Sequence, residues 1–243
     1  MSAPYPQYER SPAAETASAG SGGTQPPAWL RQTPGEVRLP VVVAIAGAIV
    51  LQVVLPDRLA IRPHWLMPAL EGALLVGLTA FNPIRLNRRH PAARLGSLAL
   101  TAALTVANAS SAALLIRAIL VGQGSNDPIT LLGSGAAVYV TNIVAFGLWY
   151  WEFDRGGPFA RAEGRMPHPD FLFPQMASPH IARADWEPTF LDYLYVSFTN
   201  ATAFSPTDTM PLTRWAKGLM SVQSVIALSA VVLVVARAVN ILR

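Results

Sequence analysis

Six side chains able to ligate or hydrogen-bond fall within ten residues: Thr199, Asn200, Thr202, Ser205, Thr207 and Asp208. Hydroxyls, an amide and a carboxylate can replace water around a cation, and a symmetric assembly multiplies each into a ring. The same groups also cap half-helices and satisfy buried turns, so the residue types leave both roles open. Glu71 lies inside an apolar run, where an ionisable group is costly and suggests function by default. A structural pair with Arg117 or a serine is the alternative. Ser221, Gln223 and Ser224 interrupt the last apolar run. They suit either the wall of an aqueous path or hydrogen bonds to neighbouring helices. Enzyme chemistry finds no purchase. The chain has no cysteine, hence no disulfide, thiolate metal site or cysteine nucleophile. His168, Asp170, His180 and Asp185 are too loosely spaced for a metal site. Nucleophile elbow, His-Glu-x-x-His and P-loop are all missing. No catalytic residue, metal or cofactor is expected.

The elements that must position these residues are apolar helices. Of 243 residues, 52% are hydrophobic and 13% charged, with mean hydropathy +0.36. Soluble domains carry about 25% charged residues, so the deficit, with several long uncharged runs, gives an all-α integral membrane protein whose partner is the lipid bilayer. The net charge of +4 comes from arginines flanking apolar runs, which does not suggest nucleic acid. Residues 1–37 are rich in Pro, Gly, Ser and Ala and read as a disordered tail. A four-helix membrane region follows over 38–153, with spans near 39–55, 65–81, 95–116 and 129–151. Small residues in the third and fourth spans predict that those two pack as a hairpin. The fourth closes on an interfacial belt, Trp149, Tyr150 and Trp151. A polar loop occupies 154–187, and 188–243 holds a short aromatic helix, the polar segment 199–208 and a last span over 219–239.

The aromatic run 190–198 is too short and too polar to cross a bilayer, whereas the last run is long enough. Short helix, polar loop and spanning helix together form a re-entrant hairpin. Irregular backbone at that depth is tolerated only where protein buries it or where it lines water. The expected fold is therefore about five transmembrane helices plus one re-entrant half-helix before the last of them.

Thr199-Asn200-Ala201-Thr202-Ala203-Phe204-Ser205-Pro206-Thr207-Asp208 resembles the filter of two-helix cation-channel pore modules. In that family an aromatic pore helix leads into Thr-Thr-Val-Gly-Tyr-Gly-Asp, a Pro, a basic residue and an inner helix. Thr202 and Asp208 fall on the family's Thr and Asp, Pro211 on its Pro and Arg214 on its basic residue. Phe204 and Pro206 stand where the family has glycines, and one extra residue precedes Asp208. The resemblance implies a cation or small-solute path through a homo-oligomer. Without the glycines, which let carbonyls point inward, selectivity falls to side-chain oxygens. The stretch also resembles uncharacterised bacterial inner-membrane proteins that carry similar aromatic, Ser-Phe-Thr and Ser-Asp residues before their last helix. Those relatives bring no activity with them. A non-conducting structural or accessory subunit is the other class that fits.

Orientation follows from charge. The connector 82–94 holds Arg85, Arg88, Arg89 and Arg94, while 121–128 holds no basic residue. The excess of arginine predicts that 82–94 is cytoplasmic in the cell inner membrane. The N-terminus and the loop over 152–188 are then inside, and the hairpin dips from the cytoplasmic face, inverted relative to ordinary cation channels. A single cysteine placed at Asn87 should stay unreactive toward an impermeant thiol reagent in intact cells and react after lysis. Labelling of intact cells would reverse the assignment.

Overall fold

The computed structural model describes residues 26–81, 91–124, 127–202 and 208–241. Most of the expected tail, most of the arginine-rich connector, and Ser205 and Thr207 of the polar segment lie outside the described residues. Among the described residues the regular structure is helical but for one two-residue strand pair. The helices are α1 (Leu39–Val54), α2 (Leu66–Phe81), α3 (Pro91–Leu120), α4 (Pro128–Phe153), α5 (Pro158–Ala162), α6 (Pro174–Ala177), α7 (Phe190–Thr202) and α8 (Arg214–Ile241).

Three of these, α3, α4 and α8, are long and apolar enough to cross a membrane. Their 30, 26 and 28 residues extend about 39–45 Å at 1.5 Å per residue. The first two expected spans are shorter, 16 residues each. That is about 24 Å, less than the roughly 30 Å of a bilayer core. Proline sets several of these boundaries. Pro56 biases Leu55 to extended backbone, which ends α1 (ψ 142°). Pro128 opens α4 at its first position, where the missing N–H costs nothing, and Asp127 caps it by accepting from Ile129 N (3.3 Å) and Thr130 N (2.9 Å).

α4 is the axis of the bundle. It packs against α1, α3, α7 and α8, and its middle is buried from Thr141 to Leu148. The third and fourth expected spans do pack together, as α3 and α4. Two of the glycines in α4, however, serve other neighbours. A Cβ on Gly135 would lie 2.8 Å from Val234 of α8, and one on Gly147 would lie 3.2 Å from the Leu194 backbone of α7. Both helices approach α4 where only hydrogen stands in the way.

Strand β1 (Phe171–Leu172) pairs antiparallel with β2 (Met210–Pro211), Phe171 opposite Pro211. This pair sits where α4 ends and α7 begins. Asp154, fully buried, accepts from Asp170 N (2.8 Å), Phe171 N (3.3 Å) and the Tyr193 hydroxyl (2.5 Å). Asp170 in turn accepts from Arg155 N and the Trp215 indole, both at 2.9 Å. One carboxylate therefore ties the end of α4 to the polar loop and to α7, and its neighbour ties that loop to the start of α8. The chain turns there through three successive left-handed residues, Arg155, Gly156 and Gly157 (φ 51°, 78° and 94°). Arg155 lacks glycine's freedom, and a strained residue of this kind costs on the order of 1 kcal/mol. Its guanidinium offsets the strain by donating to Met166 O and Trp29 O, both at 2.6 Å.

Asp154→Ala should remove three bonds at once and leave buried donors unpaired, at a cost of about 3 kcal/mol. Tyr193→Phe removes only one and should cost about 1 kcal/mol. Thermal unfolding in mild detergent ranks the two. Equal losses would mean that the backbone bonds to Asp154 contribute nothing.

Candidate functional site

Helix α7 is the element that carries the expected pathway residues, and its direction is set by what it meets. Phe190 lies against Trp151 (ring centroids 5.9 Å), Leu194 against Gly147, and the Ser197 hydroxyl donates to Ile143 O at 2.6 Å. It therefore runs antiparallel to α4. Ser197 and Asn200 meet Gln223, and Ala201 clusters with Ala227, so α7 runs parallel to α8. Both helices begin at the Asp154 end. Thirteen residues carry α7 about 20 Å into the bundle, and β2 then lies back at the end where α7 started.

Gln223 is the centre of the contact. Its side chain is fully buried. The amide donates to Ser197 Oγ (2.7 Å) and Ser197 O (2.9 Å), and its oxygen accepts from Tyr150 Oη (2.5 Å) and Asn200 Nδ2 (2.8 Å). Asn200 also donates to Met220 O (2.9 Å), and Ser224 donates to Asn200 Oδ1 (3.2 Å). Three helices thus share one polar cluster in which donors and acceptors match. A matched buried cluster rigidifies the helices that contribute to it.

The sequence-selected residues divide here. Asn200, Gln223 and Ser224 come together. Thr199 and Thr202 are half-buried and return their hydroxyls to their own helix, Thr199 to Tyr195 O (3.0 Å) and Thr202 to Thr199 O (2.9 Å). Ser221 does the same with Lys217 O (2.9 Å) on an exposed face. Asp208 is exposed and lies six residues before Arg214, too far ahead to cap α8, since a cap bonds the second or third helical N–H. Glu71 is fully buried, and its partner is Gln52, whose Nε2 donates at 3.1 and 3.3 Å, rather than Arg117 or a serine.

The start of α7 rests on a residue that the sequence does not mark. Glu36 accepts from Phe190 N and from the Trp151 indole (2.7 Å). Burial pushes its carboxyl up, against the Phe190 N–H, Arg161 and Trp151, which pull it down. Arg161 lies over the Tyr193 ring (4.9 Å) and donates to Trp151 O and Asp154 O. Ser197 and Tyr150 were also missed. Both look like ordinary members of an amphipathic run and of an aromatic belt, and only the packing of α7 on α4 gives them partners. Among the described residues no group of three or more His, Cys, Asp or Glu is placed to hold a metal.

Gln223→Leu keeps the volume but strands the Tyr150 hydroxyl and removes one acceptor of the Asn200 amide, and should cost about 3 kcal/mol. Gln223→Glu, which still accepts from both, should cost less. Chemical denaturation in detergent measures the difference; a fully stable Gln223→Leu protein would mean that the cluster does not hold α7. Comparison with protein-family models, with curated proteins and with solved structures finds no match to this chain.

Proposed function

We propose that the chain is a multi-pass protein of the cell inner membrane in which α1, α2, α3, α4 and α8 cross the bilayer and α7 is a re-entrant half-helix. In this reading a homo-oligomer passes a cation or small solute along the hairpins at 199–208. The observation that carries it is the course of α7. It enters parallel to α8, stops about 20 Å in, and the chain is back at its starting end by β2. Polar backbone between the end of α7 and β2 is tolerated in a membrane only against protein or water. One hairpin cannot enclose a path, so the reading requires several copies. The short helices α1 and α2 are accommodated by local thinning of the bilayer. The reading assigns no catalytic residue, cofactor, metal or nucleic-acid partner.

A second reading, a non-conducting accessory subunit, is favoured by a different observation. Gln223, Asn200, Ser197 and Tyr150 direct their polar groups at one another and leave little for a passing ion. In that case the hairpin is a packing device.

The two readings part on flux and assembly. Purified protein in proteoliposomes should pass cations, and Asp208→Asn should lower that flux several-fold without changing the unfolding temperature. Potassium and sodium should be poorly discriminated in bi-ionic reversal potentials, because side-chain oxygens strip an ion's hydration less than a carbonyl ladder does. No current from a protein shown by native mass spectrometry to be a monomer would overturn conduction and leave the accessory reading.

A further inference from the structure

The geometry points to a water-binding site inside the protomer, on the seam between α3 and α4, separate from the hairpin and independent of whether the hairpin conducts. Two bonds fix the register of this antiparallel pair. Ser97 donates to Glu152, and the Trp149 indole donates to Thr105 Oγ1 at 2.8 Å. Continuing along both helices from those bonds, Asn108 and Ser111 come level with Thr141 and Asn142. Asn142 lies two turns from Trp149, and Asn108 one turn from Thr105, which places both on the facing sides.

All four side chains are buried, none more than 4% exposed. The Asn142 Nδ2 has no hydrogen-bond partner. No side-chain hydrogen bond joins Asn108, Ser111 or Thr141 to any described residue, in contrast to the matched cluster around Gln223. Buried polar groups in native proteins are paired, with protein or with ordered water. Here two amides and two hydroxyls come level in the middle of two long helices, and the enclosed Asn142 amide nitrogen is left to a partner other than protein.

The chemistry of the groups selects that partner. An amide N–H needs an acceptor, which a bare cation does not offer. The four side chains carry no charge, so an anion would be buried without compensation. Water both accepts from the amide nitrogen and donates to the amide and hydroxyl oxygens. The seam also has a place for water to enter. At the Glu152 end a cavity of about 30 Å³ has Ser97, Thr101 and Glu152 on one side and apolar residues of α1 and α2, such as Val41, Ile45 and Leu78, on the other, with room for about two waters at about 10–15 Å³ each. From there polar side chains recur along the interface, Thr101, Thr105 and then the central four, so that the core between α3 and α4 is hydrated rather than dry.

Water-edited solid-state NMR on the isotope-labelled full chain in proteoliposomes tests this. The side-chain amide signals of Asn108 and Asn142 are assigned by their loss in Asn108→Ala and Asn142→Ala, with Asn142→Ser as the substitute if the alanine variant does not fold. Magnetisation from water should reach the Asn142 amide about as fast as it reaches the exposed Asn240, while the backbone amide of Leu104, which is fully buried, stays dark. Transfer to Asn142 as slow as to Leu104 would overturn the site. A direct Asn108–Asn142 cross-peak under those conditions would show that the two amides simply bond across a dry interface.

Discussion

Asp154 is the interaction on which the arrangement of the bundle depends. A carboxylate with no exposure to water must be met by donors, and it finds three of them in two separate stretches of chain: the adjacent backbone N–H groups of Asp170 and Phe171, and the Tyr193 hydroxyl of α7. Meeting that demand brings α7 against the end of α4. Arg161 then fits between Tyr193 and Trp151, and Glu36 reaches the first N–H of α7 from the other side. Charges in this region act through hydrogen bonds to backbone and aromatic groups rather than through direct ion pairs. The ion pairs among the described residues lie elsewhere, at partly or fully exposed positions such as Arg183 with Asp185, where water screens them and they hold little of the fold together.

The interior treats polar side chains in two ways. Around Gln223 each group has a counterpart on another helix, and the result is a rigid junction of α4, α7 and α8. Along α3 and α4 the central amides and hydroxyls have no such counterpart. Small side chains explain the difference in part. Where α4 presents Gly135 and Gly147, α8 and α7 come close enough for short side chains to reach across. Toward α3 the bonds across the interface run through longer side chains, Glu152 meeting Ser97 and the Trp149 indole meeting Thr105.

Several parts of this protein are legible without coordinates. The low charge and long apolar runs mark helices apolar enough to cross a membrane, where a helix pairs all its own backbone groups. The runs at 95–116, 129–151 and 219–239 sit inside the three long helices α3, α4 and α8. The aromatic run at 190–198 becomes a separate helix, since Pro188 precedes it and the next apolar period begins only after Pro211. The connector 121–128 reads as a turn, and only the structure shows Asp127 at its end capping α4.

What the sequence could not decide is which polar residue meets which. The residue types of Thr199, Thr202 and Ser221 suit a pathway as well as those of Asn200 and Gln223, yet the first three bond their own helix and the last two join α7 to α8. Glu71 signals a costly buried acid, but its partner Gln52 comes from α1, and no local pattern links positions nineteen residues apart. Glu36 looks like the end of a tail and proves to hold the start of α7. Helix formation follows from local periodicity and is written along the chain. Partner choice follows from close approach between distant segments, which glycine positions, helix crossing and the burial of a few carboxylates settle only once the bundle has packed.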